Sequence, residues 1–170
     1  MLKLPITLPE IAPRISAGAF ILNSGLGKRA ADEQTAAGLH GIASGTYPFL
    51  QKVPPQQFVQ GLSTAEIAVG AALLTPFVPT FTAGAVLTAF SGGLLGLYLK
   101  TPGMRKPGSL APTEQGLAIA KDSWLVGIGI GLMTRGLIER RPRVTVKKAA
   151  KQAKRAAKDA RREARAAARA

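Results

Sequence analysis

Residues 58–99 read FVQGLSTAEIAVGAALLTPFVPTFTAGAVLTAFSGGLLGLYL, and Glu66 is the sole charged side chain in these 42 residues. The core helix of a soluble bundle would interleave charge at a period of 3.6, and this run has no such polar face. It is too long for one helix across a bilayer and is interrupted at Thr75-Pro-Phe-Val-Pro-Thr80, where two prolines stop a helix and favour a tight turn. Each half then has about 18–20 residues, or about 27–30 Å of helix, which matches a hydrocarbon core. The run therefore predicts a hairpin of two membrane spans, 58–76 and 80–99.

Two weaker spans flank the hairpin. Residues 13–30 hold the apolar stretch Ala17 to Leu26 between Arg14 and Lys28-Arg29, whose long side chains can reach the interface. Residues 117–138 contain Trp124-Leu-Val-Gly-Ile-Gly-Ile-Gly-Leu-Met133 between Lys121-Asp122 and Arg135. The expected fold is all-α, a four-helix transmembrane bundle with a basic cytoplasmic C-terminal helix. Its parts are an N-terminal segment 1–12, a membrane domain 13–138 and a tail 139–170. Residues 1–13 contain three prolines and Glu10 and no long apolar stretch, so the first span is expected to be uncleaved rather than a signal peptide.

Charge is segregated along the chain. Of its 170 residues, 23 are basic and 9 acidic, giving +14, yet 46% are hydrophobic. Residues 135–170 hold 14 of the basic and 3 of the acidic residues, a net of +11. Positive residues near a span hold it on the cytoplasmic side. Four spans then put both termini in the cytoplasm of an inner-membrane protein and the 30–57 and 100–121 segments outside. Those outer segments are themselves not poor in Lys and Arg, and the larger excess in the tail decides the orientation. The chain has no Cys, which excludes disulfides, thiolate nucleophiles and CxxC redox chemistry, and its single His speaks against a His-based metal centre or triad. No catalytic or metal-ligating residue is assigned.

Within the apolar body, Glu66 is the most informative residue, because a carboxylate inside a span is costly and calls for a partner. The expected topology places Lys28, at the close of the first span, and Lys121 and Asp122, at the opening of the fourth, at the same outer level. These four residues are the candidate polar cluster, a structural ion-pair group, a pocket for a small ligand such as a quinone headgroup, or a proton relay or transport site. His40 and Tyr47, in the outer segment, are candidates for its mouth. That segment is expected to form an Ala-rich helix over 30–43, followed by extended chain at Tyr47-Pro-Phe-Leu50 and Val53-Pro-Pro55. Glycines four apart permit close helix approach in lipid, so Gly92 with Gly96 and Gly127 with Gly131 are candidate packing positions. Ser24-Gly-Leu-Gly-Lys28-Arg29 lacks the first Gly and the Ser/Thr of a phosphate loop and is not read as one.

Residues 146–170 read VKKAAKQAKRAAKDARREARAAARA, dominated by strong helix formers. As a helix, Lys147, Lys148, Lys151, Lys154, Arg155, Lys158, Arg161, Arg162, Arg165 and Arg169 share an arc of about 140°. The opposite face is almost only Ala, too small to insert into lipid. Anionic lipid is the nearest polyanion for this stripe. The alternatives are nucleic acid, bound without sequence readout since the tail has no aromatic residue, and a solvated tail that binds neither and only fixes topology.

Several strings resemble the DoxX family of small four-helix bacterial membrane proteins. Asn23-Ser-Gly-Leu-Gly-Lys28 is similar to the family's Ser-Gly-x-x-Lys close of its first helix. Glu66 followed by Gly70 and Leu73-Leu74 is similar to its Glu-x3-Gly-x2-Leu-Leu. Ala120-Lys-Asp-Ser-Trp124 leading into Gly-Ile-Gly-Ile-Gly is similar to its final span. The resemblance covers residues 13–138 and excludes the tail. It implies a non-catalytic subunit or small-ligand-binding component of a membrane complex, with a protein partner and with quinone-linked or other redox chemistry as the candidate context. The alternative is a membrane tether whose tail binds anionic lipid or nucleic acid.

Overall fold

A computed structural model of the chain describes residues 7–138 and, in the tail, Lys151, Lys154, Arg155 and Lys158. The chain divides into two units, residues 1–134 and 135–170. The described residues are helical, with no strand beyond an isolated bridge between Arg105 and Pro112. The elements are α1 (Leu8–Lys28), α2 (Glu33–Thr46), a 3-10 turn (Pro48–Lys52), α3 (Pro55–Leu74), α4 (Thr80–Lys100) and α5 (Glu114–Ala120). A turn at Lys121 leads into a further helix, α6, over 122–138.

α1 starts earlier than the sequence suggests. Thr7 caps it, and the Glu10 side chain returns to accept the Thr7 N–H at 3.1 Å, so the helix is already formed when it reaches Pro13. Pro9 stands in the first turn, where no N–H is required, and only Pro13 forgoes a helical bond. The hairpin break falls where Pro76 lacks the N–H to continue α3. Thr75 closes that helix, the chain turns through Pro76 and Phe77, and α4 begins after Pro79. In the intervening segment, Pro48–Lys52 is not extended. Pro48 pre-sets the backbone for a 3-10 turn, and only Tyr47 before it and Val53 and Pro54 after it are extended.

α1 and α3 pack antiparallel, and glycine sets their separation. A methyl group on Gly70 would lie 2.8 Å from the Leu22 nitrogen and 2.9 Å from the Gly18 oxygen, and one on Gly25 would lie 2.9 Å from the Ile67 nitrogen. α4 and α6 approach in the same way, since a methyl group on Gly84 would lie 2.7 Å from both the Gly129 oxygen and the Met133 nitrogen. A single hydrophobic core joins Ala17 and Ile21 of α1, Val69 and Leu73 of α3, Ala83 and Leu87 of α4, and Leu125 and Leu132 of α6.

Of the glycines picked from the sequence, only Gly96 lies at a close contact, and that contact is with a side chain rather than with another helix backbone. A methyl group on Gly92, Gly127 or Gly131 would meet nothing within 4 Å, and one on Gly96 would strike the Tyr47 hydroxyl. The spacing of four is common in a Gly-rich chain and does not say which helical face meets a neighbour. Gly84 and Gly129 lie on the faces that do.

Among the described residues, α4 (Thr80–Lys100) and the nearly continuous α5–α6 run (Glu114–Ile138) are long and apolar enough to cross a membrane. Only 28% and 22% of their apolar windows are buried inside the protein, far below what the core helix of a soluble bundle would show. α1 and α3 do not pass the same test.

Candidate functional site

The site begins at the contact of α1 with α3. The buried face of α3 repeats every three or four residues as Val59, Ser63, Glu66, Val69, Gly70 and Leu73, which directs Glu66 onto α1. Gly25 has no side chain there, so the Glu66 stem can pass beneath it, and the Ser63 hydroxyl donates to the Gly25 carbonyl at 2.7 Å. From the last turn of α1, Lys28 reaches back. Its Nζ donates to Ser24 Oγ at 2.7 Å and to both Glu66 oxygens at 2.9 Å. The Glu66 side chain is 6% exposed and that of Lys28 23%.

Asp122 arrives from the other side. Thr113 caps α5 by accepting the Gly116 N–H at 3.1 Å, and Gly116 packs on the Met104 backbone too tightly for any side chain. The turn at Lys121 then sets Asp122 at the first turn of α6. Lys28, Glu66 and Asp122 line one cavity of about 280 Å³. Its walls are otherwise largely apolar, with Phe20 of α1, Leu39 and Ile42 of α2, Phe90 and Leu94 of α4, and Leu125 of α6.

The remaining sequence candidates lie elsewhere. Lys121 is exposed on the turn and does not line the cavity, because the helical step of 100° that turns Asp122 inward turns its neighbour out. His40 is held to the 3-10 turn, with Nε2 3.0 Å from the Leu50 carbonyl and its ring edge-on to Phe58 at 5.6 Å. Tyr47 donates to the Gly93 carbonyl at 2.8 Å and packs beside Phe49. Neither residue lines the cavity; α2 contributes Leu39 and Ile42 in their place. In the tail, Lys151, Lys154, Arg155 and Lys158 are helical and exposed, and their spacing of three and four puts them on one face. Lys147, Lys148, Arg161, Arg162, Arg165 and Arg169 lie outside the described residues.

A second polar centre went unread in the sequence. Arg14 is 2% exposed, and its guanidinium donates to four backbone carbonyls, those of Leu73 at 2.8 Å, Thr75 at 2.8 Å, Val78 at 3.0 Å and Ala72 at 3.1 Å. These are carbonyls that the end of α3 and the proline turn leave without helical partners. Glu10, one turn earlier on α1, accepts from the Thr80 hydroxyl at 2.6 Å, at the start of α4. The one signal for this centre was the helical spacing of Glu10 and Arg14.

No group of three or more potential metal ligands occurs among the described residues. Comparison of the chain with family models, with curated proteins and with solved structures finds no match.

Proposed function

We propose that the protein is a multi-pass membrane protein of the DoxX kind that acts as a small-ligand-binding component or non-catalytic subunit of a membrane complex. The observation that carries this reading is the meeting of Lys28, Glu66 and Asp122 in an apolar-walled cavity. Each comes from one of the three strings that resemble DoxX proteins. Ionisable groups inside an apolar helical body are costly and mark ligand or ion sites by default.

Four crossings, by α1, α3, α4 and α5–α6, are supported indirectly. α4 and Glu114–Ile138 qualify by length and composition, and Trp124 and Phe20 turn large apolar side chains outward at 71% and 64% exposure. α1 and α3 carry charges, but Arg14, Lys28 and Glu66 are all satisfied inside the protein. The excess of Lys and Arg after α6 favours cytoplasmic termini in an inner membrane. The chain has no Cys, so single cysteines at Pro79, Ser109 and Ala168 report topology without background. Ser109 should react with an impermeant reagent in intact cells, and Pro79 and Ala168 only after lysis. Labelling of Ala168→Cys in intact cells would reject the topology. Mass spectrometry from mild detergent separates the two roles, a bound small molecule supporting the ligand component and a co-purifying protein the subunit.

A second reading, a tether, is favoured by the exposed helical face of Lys151, Lys154, Arg155 and Lys158. Deleting residues 143–170 should then release a polyanionic partner, or change membrane distribution, with the helical body intact.

A further inference from the structure

The polar side chains of the cavity are unevenly matched. Lys28 brings one positive charge and its three N–H donors are all engaged, one by Ser24 and two by Glu66. Glu66 and Asp122 bring two negative charges and, ionised, can only accept. Among the described residues no hydrogen bond or ion pair holds the Asp122 carboxylate, although it faces the same space as Glu66 and Lys28. Its place in the first turn of α6 offers only the partial charge of a helix end. The cavity therefore carries an uncompensated carboxylate against walls of Phe, Leu and Ile. A carbonyl ligand such as a quinone would find the Lys28 donors already taken, with the Ser24 hydroxyl as the remaining side-chain donor. A ligand bringing positive charge and an apolar body would find a counter-charge and matching walls.

We propose that the cavity takes a small hydrophobic cation, a quaternary ammonium or protonated amine with an apolar body, with the Asp122 carboxylate as its counter-charge. This rests on the ligand-binding reading above and narrows it to a chemical class. About 280 Å³ suits a compact ligand, near the lower end of the usual range of ligand pockets. Phe90, partly buried, and the rim residue Phe20 are among the lining residues, and aromatic rings attract cations. The Lys28–Glu66 pair keeps the second carboxylate neutralised, so the site presents a single negative charge to the ligand.

The full-length protein in mild detergent can be tested by thermal unfolding with three probes: benzyltrimethylammonium, its neutral isostere neopentylbenzene, and a short-chain benzoquinone. The cation should raise Tm with concentration, and the isostere and quinone should not. Asp122→Asn should weaken the cation's affinity by roughly 10-fold, less than the loss at a fully buried charge pair, because Asp122 is half-buried. Leu94→Phe narrows the cavity without touching the charge and should exclude the cation, which guards against a misfolded Asp122→Asn. Wild-type cation affinity in either folded variant overturns the proposal. A shift by the isostere or the quinone equal to that of the cation overturns it and leaves the ligand-binding reading standing. No shift by any of the three overturns both, leaving the subunit reading.

Discussion

Arg14 Nε donates to the Leu73 carbonyl at 2.8 Å across 59 residues of sequence, tying the first helix to the end of α3 by a bond to backbone alone. Three further carbonyls converge on the same guanidinium. Replacing it strands the buried Leu73 acceptor and takes a donor from three part-buried carbonyls. Arg14→Leu should destabilise the protein by about 3 kcal/mol or more, since each buried acceptor left without a partner costs about 1–3 kcal/mol. Arg14→Lys keeps the charge but not the planar fork and should fall between. Thermal unfolding in detergent checks the order, and equal stability of wild type and Arg14→Leu would contradict it.

The glycines separate into two classes by what surrounds them. Gly70→Ala presses a methyl group onto the α1 backbone and should lose about 1–3 kcal/mol, as overpacked sites do. Gly127→Ala and Gly131→Ala meet nothing and should be neutral or gain up to about 1 kcal/mol from helix propensity. If Gly127→Ala proves the more damaging, its open face covers a contact with another chain.

Glu66 and Lys28 depend on one another. Glu66→Ala leaves an ammonium facing an apolar cavity and should cost about 3 kcal/mol, at the low end for a broken buried pair because Lys28 keeps partial access to solvent. Glu66→Gln keeps the shape and one acceptor and should cost less, and Lys28→Met combined with Glu66→Gln should recover part of the loss. The yield and Tm of folded protein measure this. Equal loss in Glu66→Gln and Glu66→Ala would point to a requirement for charge rather than for shape and hydrogen bonding.

Helix α2 should respond to acid through its cap. Asp32 Oδ1 accepts the Thr35 N–H at 2.8 Å, and that backbone bond holds the carboxyl below its usual value. A folded pKa below the unfolded one, about 3.9, means that the cap stabilises α2 above that pH and ceases to as the pH falls through the folded value. Amide protection in α2, corrected for intrinsic exchange, should decline below about pH 4. In Asp32→Asn, which caps without titrating, it should stay flat. The same decline in both would place the acid-sensitive group elsewhere.

The hairpin was legible because Pro76 and Pro79 act locally: a missing N–H ends a helix whatever lies nearby. Glu66 was legible as a residue in need of a partner, since its cost is a property of the apolar run around it. Arg14 was not. Its partners are carbonyls, and carbonyls carry no residue identity, so no pattern of side chains announces them. The packing glycines were hidden for a related reason. Gly84 and Gly129 do not form a spaced pair within one helix, and their role exists only once α4 meets α6. Lys121 was grouped with Asp122 by adjacency, although neighbouring helical residues point about 100° apart.

Glu10 and Arg14 sit one turn apart on α1 and engage the start of α4 and the end of α3 respectively. A slide of α1 along its axis by a single residue, about 1.5 Å, would misalign both attachments together. The first helix therefore cannot work as a piston. It is pinned at its N-terminal end to the end of α3 and the start of α4. Its far end is fastened as well, by Ser63 on the Gly25 carbonyl and by the Lys28–Glu66 pair, so the wall of the charged cavity that α1 supplies is set at both ends by the same partner helix.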